Sequence, residues 1–203
     1  MARQPVRFDA AWSGRLNRQR ETGEQVREAC RRSGTEFPEV VANACWDEFD
    51  LDAVYQGIGP LIAAEDDEFR RQLDELQRSA RDAASPVHRT WAQCDTTVVR
   101  AWIDGRFSFG GESFEAFTGR VRSGRELLDV SGPHRNVAVF TSATPTAVWA
   151  AAALELDGRK TMQLAGVTYN TSMTIMRVDP QRLRLFQFNT VPHIETPELL
   201  THR

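Results

Sequence analysis

The sequence predicts an α/β sandwich, and three observations predict it. A strand–turn–helix unit spans residues 136–156, the middle of the chain is helix-patterned, and two β-rich runs close it. Within the first unit, Val137 to Phe140 is a short, β-branched apolar run, the pattern of a buried strand. Thr144 followed by Pro145 predicts a helix start: a hydroxyl N-cap, then proline where a missing N–H costs nothing. The helix continues through Ala147 to Leu154. Its N-terminus opens past the carboxyl end of the strand, the place where open α/β sheets bind ligands. Free N–H groups and the helix dipole suit that place to an anion.

The remaining elements follow in chain order. Val6 to Trp12 reads as a strand-like entry ending at Ser13-Gly14, residues 15–32 as a polar, helix-compatible stretch, and Phe37 to Val41 as a short strand or connector. Acidic residues surround Trp46 and Phe49. Residues 60–84 carry the clearest helical spacing, with Leu61, Phe69, Leu73 and Leu76 among charges, and Ser85-Pro86 breaks it. A second helix is expected over 87–103, ended by Asp104-Gly105. Ser113 predicts the N-cap of a third, running to Leu128. Thr171 to Val178 and Leu183 to Phe188 predict a hairpin turning at residues 179–182.

Composition narrows the function classes. The 203 residues suffice for one domain with a proper core. A net charge of −3 gives no nucleic-acid footprint. No run of about 18 apolar residues predicts a membrane span, and no apolar h-region marks a secretory signal. Cys30, Cys45 and Cys94 are odd in number and have no metal spacing, so reduced thiols in a cytoplasm are expected. Lys160 is the only lysine among 25 basic residues, which lowers the weight of any single arginine as a phosphate ligand.

Taken in order, several segments resemble the histidine phosphatase superfamily, the phosphoglycerate mutase-like proteins, over roughly residues 8–194. Ser13-Gly-Arg-Leu-Asn-Arg-Gln-Arg-Glu-Thr22 looks like the family's Ser-x-Leu-x-Arg-x-x-x-Thr helix start. Trp46-Asp-Glu-Phe-Asp50 looks like its acidic segment. Trp102 to Gly105, Gly111 to Arg120, Asn170 to Thr174 and Phe188 to Ile194 match its later elements. The resemblance implies a three-layer α/β/α sandwich forming one domain over 1–203, with a helical insert at 60–105. It implies hydrolysis of a small phosphomonoester through a phosphohistidine, with no metal and no organic cofactor. Arg18 would bind the phosphoryl group, Glu48 would be the catalytic proton donor, and Ser142 with the Ala143 amide would add phosphate contacts.

Two departures matter. The family's Arg-His-Gly motif does not occur, and none of His88, His134, His193 and His202 stands in its context. The chain therefore resembles a family member lacking the first strand, a central one, whose loss exposes flanking strand edges. Ser142 also stands where the family commonly has a later histidine, though some members carry Thr-Ser there. A hydroxyl gives phosphate a hydrogen bond but no charge. The chain alone is accordingly expected to be inactive, and the complete protein a phosphatase. The alternative is a non-catalytic relative that binds a phosphorylated ligand or a protein, with self-association through an open edge.

Each candidate has a plainer reading. Arg18 lies among Arg15, Arg20, Arg27, Arg31 and Arg32, which suits a solvated helix face; Leu16 and Thr22 favour phosphate contact. Glu48 reads equally as part of an exposed acidic loop, with Asp47 and Asp50 as substitute acids. Ser142 as a nucleophile at a strand–helix elbow would need glycine flanks, and Phe140 and Thr144 stand there instead.

Overall fold

The computed structural model describes residues 6–79, 96–129, 136–179 and 181–202. His88, His134 and Cys94 lie outside them, as does the expected helix over 87–95. The chain forms two compact units: one runs up to Glu48 and resumes at Thr118, the other is Phe49–Phe117. The expected insert of 60–105 falls inside the second.

The first unit is built on a parallel sheet of β1 (Ala10–Ser13), β2 (Val40–Ala42) and β3 (Val137–Phe140), in the order β2-β1-β3. Trp12 pairs with Val41 on one side and Val139 on the other; Ser13 pairs with Ala42 and Phe140. Helix α1 (Asn17–Arg32) packs closely over this sheet at Gly23. A Cβ there would come within 2.9 Å of the Phe140 and Val40 side chains. A short 3-10 turn, Ala44–Trp46, follows β2 and buries Trp46, whose ring stacks on Trp149 at 5.8 Å between centroids.

β3 departs from its sequence pattern. Its four apolar residues predict a buried strand, yet all four are only half-buried, and among the described residues β3 pairs with β1 alone. The burial is carried instead by the helix that follows, α6 (Ala143–Leu154), where Ala147, Val148, Ala150 and Ala151 are almost fully enclosed. The expected N-cap also moves. Ser142, not Thr144, holds the N-cap position, and Pro145 lies within the first turn. The first-turn N–H groups have no intrahelical acceptor, so proline is tolerated there too.

A further helix, α7 (Gly158–Gly166), has no counterpart in the sequence reading; the Asp157 carboxylate caps it by accepting from the Lys160 N–H at 2.8 Å. β4 (Met173–Asp179) and β5 (Arg182–Thr190) form the expected antiparallel hairpin as a separate two-stranded sheet. Asn189, at φ 58°, braces its base: the side chain accepts from the Tyr169 N–H and donates to the Val167 carbonyl, both at 2.7 Å. Met173, Ile175 and Phe186 of the hairpin are exposed.

The second unit is helical. α2 (Leu51–Glu65) starts at an Asp50 cap, whose carboxylate accepts from the Ala53 N–H at 2.9 Å. Pro60 therefore lies inside a helix rather than opening one. Burial of Val54, Ile58 and Ile62 at helical spacing outweighs the hydrogen bond that proline removes. The break falls at Asp66, which caps α3 (Asp67–Ser79) by accepting from Glu68 and Phe69 N–H groups. α4 is described over 96–103 and ends at Gly105, φ 59°. α5 (Phe114–Asp129) begins in this unit with the expected Ser113 cap, 3.1 Å from the Ala116 N–H, and ends in the first.

Candidate functional site

At the carboxyl end of the parallel sheet, Trp46, which closes the 3-10 turn, and the next two residues, Asp47 and Glu48, are each held in place. The Trp46 carbonyl accepts from Thr141 Oγ1 at 2.6 Å and from Gln19 Nε2 at 3.1 Å. The Asp47 carboxylate accepts from the Arg15 N–H at 2.5 Å and from Arg15 Nε at 2.7 Å. Arg120 Nη1 reaches the carbonyls of Ala44 at 2.5 Å and Asp47 at 3.2 Å. The next residue, Glu48, is thereby fixed in a buried position.

Glu48 uses that position to meet the start of α6. Its Oε2 accepts from the Thr144 N–H at 3.2 Å. That N–H is one of the first-turn donors without an intrahelical partner, and the positive end of the helix dipole favours negative charge there. The helix terminus that was expected to hold phosphate therefore already holds a group of the protein's own, the Glu48 carboxyl oxygen. Ser142 and Ala143 are half-buried beside it. Ser142 does not cap α6 with its own side chain; its Oγ accepts from Gln19 Nε2 at 2.9 Å.

The structure thus brings together Glu48, Ser142 and Ala143, three of the four candidate residues. Arg18, next to Gln19 in the chain, makes no hydrogen bond with them. It is exposed on α1, and among the described residues its guanidinium has no hydrogen-bond or ion-pair partner. The groove it lines with Glu21, Thr22 and Val26 includes none of the other three. Asp47, a substitute acid, is bound to Arg15, and Asp50 caps α2.

Among the described residues, neither His193 nor His202 reaches the site. His193 is exposed with Nε2 3.1 Å from Thr171 Oγ1, and the His202 ring lies 4.3 Å from that of Tyr169. Neither is hydrogen-bonded to Ser142. Burial pushes the Cys45 thiol up to about 11, despite the opposing charge of Arg120, so it is protonated at neutral pH. Among the described residues, no three His, Cys, Asp or Glu side chains gather as a metal cluster, and no helix is long and apolar enough to cross a membrane.

Sequence reasoning missed Gln19, Thr141 and the Arg15–Asp47 pair. Gln19 carried one readable signal: it sits at the third helical position, where Gln commonly caps, and its Oε1 accepts from the Leu16 N–H at 3.3 Å. Its partners at Trp46 and Ser142 carry no such local mark.

No curated protein matches the chain in sequence. The sequence model of the histidine phosphatase superfamily (branch 1) matches residues 86–191, slightly more than half of the chain. The match includes Arg120, Ser142 and Ala143 and leaves Arg18 and Glu48 outside. A small parallel sheet flanked by helices, with a strand–helix joint inside the matched span, agrees with it. The chain belongs to the histidine phosphatase superfamily.

Proposed function

We propose that this chain forms the phosphate-holding part of a phosphomonoester hydrolase of the histidine phosphatase type. The observation that carries the reading is the Glu48 carboxylate on the Thr144 N–H at the head of α6. A donor that binds a carboxylate oxygen also suits a phosphate oxygen, and the helix terminus favours both. The Ala143 and Thr144 amides and the Ser142 hydroxyl bind the phosphoryl oxygens. Arg18 swings from its exposed position to add a bidentate charge. Glu48, displaced from Thr144 and protonated, gives its proton to the leaving oxygen.

In a hydrolase of this type the phosphoryl acceptor is a histidine, which then passes the group to water. The 203 residues hold no Arg-His-Gly motif, and on this reading the polypeptide binds phosphate without turnover. No metal or organic cofactor takes part, and the substrate is a small phosphorylated molecule handled in the cytoplasm. The experiment is hydrolysis of p-nitrophenyl phosphate by the full chain and by an Arg18→Ala, Ser142→Ala double variant. Equal, background rates support the reading; a rate well above the double variant contradicts it.

A second reading, a non-catalytic binding relative, is favoured by β3. Its apolar residues are only half-buried, on a strand that among the described residues lies at the sheet edge, and Met173, Ile175 and Phe186 are exposed on the hairpin. Such surfaces pair readily with another strand or a second copy. Light scattering of the full chain tests it: a mass that rises with concentration supports self-association, and a constant monomer mass removes it.

A further inference from the structure

Gln19 is 2% exposed, unusual for a residue type that is mostly at the surface. Its amide orientation is fixed by its partners. Oε1 faces a donor, the Leu16 N–H, and Nε2 faces an acceptor, the Trp46 carbonyl. A flipped amide would set donor against donor and acceptor against acceptor. The second Nε2 proton goes to Ser142 Oγ. Ser142 is therefore an acceptor toward Gln19, and its own hydroxyl proton is left to donate elsewhere.

The two Nε2 partners lie at the two ends of one interaction. The Trp46 carbonyl precedes Glu48 by two residues, and Ser142 precedes Thr144 by two. A single amide thus ties down both sides of the Glu48–Thr144 hydrogen bond. Gly14 makes the room: a Cβ there would stand 1.9 Å from Gln19 Oε1 and 2.6 Å from the Trp46 carbonyl oxygen. Capping α1 would need only the Leu16 contact, which an exposed glutamine supplies as well; burial and the two further bonds serve something else.

We propose that Gln19 is a positioning residue of the phosphate site. It seats Glu48 on the Thr144 N–H, and it turns the Ser142 hydroxyl proton toward an incoming phosphate oxygen. The role rests on the reading that this helix terminus takes phosphate.

The test compares the full chain with Gln19→Met, which keeps length without hydrogen bonds, and Gln19→Glu, which accepts but does not donate. Three readouts are taken: the Thr144 amide in 1H–15N spectra, affinity for inorganic phosphate, and the urea midpoint. In both variants the Thr144 amide proton is expected to move upfield. Phosphate affinity, read in a Glu48→Gln background so that no competing charge is unseated, is expected to fall about five- to tenfold through the Ser142 hydroxyl alone, the worth of one hydrogen bond. Hairpin amides stay in place. A lower urea midpoint with an unmoved Thr144 amide would overturn the proposal and leave Gln19 a packing residue. If neither variant folds, the wild-type Gln19 side-chain NH2 decides: slow hydrogen exchange supports the bridge, and solvent-rate exchange overturns it. If the wild type binds no phosphate while Thr144 still responds to Gln19, the phosphate reading fails and the seating role stands. If phosphate binds equally to all three and Thr144 is unmoved, the Gln19 role fails alone.

Discussion

The carboxylate of Glu48 and the backbone N–H of Thr144, 96 residues apart, meet at 3.2 Å at the N-terminus of α6. This contact decides how the site is read. The helix terminus is not capped by its own N-cap side chain; its Thr144 N–H is taken by the Glu48 carboxyl group.

Glu48→Gln keeps the size and an acceptor oxygen but removes the charge. A hydrogen bond to a charged group contributes roughly 1.5–3 kcal/mol and a neutral one about 1, so a loss of about 1 kcal/mol is expected in urea unfolding. Inorganic phosphate is expected to bind more tightly than in the wild type, because the competing anion is gone.

Gly14→Ala is expected to cost about 1–3 kcal/mol, since the added Cβ would overlap Gln19 Oε1 and the Trp46 carbonyl. Combined with Gln19→Ala, the total falls short of the sum of the single changes, because the two share one clash. Urea unfolding of the four proteins in the cycle measures the coupling.

Cys45 gives a pH dependence. Burial raises its thiol from 9.0 to about 11, so the folded state keeps a proton that the unfolded state gives up. This contribution is complete below about pH 9 and is lost as pH rises toward 11. A Cys45→Ala variant is expected to lose less stability than the wild type between those values. Iodoacetamide should label Cys45 slowly in the folded protein at neutral pH.

The exposed hairpin residues allow a surface test. Phe186→Lys and Ile175→Lys are expected to change stability by no more than about 0.5 kcal/mol, since both side chains already face solvent. They should also lower any concentration-dependent mass seen by light scattering. An unchanged mass curve would remove the hairpin from the self-association surface.

What was legible in the sequence was local. Val137 to Phe140 and Ala147 to Leu154 announced a strand and a helix through their own composition, and Ser113 announced a cap. Pro60 misled because proline's local penalty was overridden by burial of Val54, Ile58 and Ile62. α7 was missed because it is short and bounded by Gly158 and Gly166. Glu48 and Ser142 were singled out through the family resemblance, and both stand at the head of α6. Gln19 was not found, because its partners lie 27 and 123 residues away and one of them is a backbone carbonyl. The half-exposure of β3 was equally invisible, since a strand's own sequence does not say whether a neighbour covers its edge.

The most direct measurement is a 1H–15N titration of the full chain with inorganic phosphate, following the Ala143 and Thr144 amides. Saturable shifts at these two amides, weaker in a Ser142→Ala variant, are the predicted result. Unmoved Ala143 and Thr144 amides at saturating phosphate, or shifts confined to the exposed arginines of α1, would contradict a phosphate site at the head of α6.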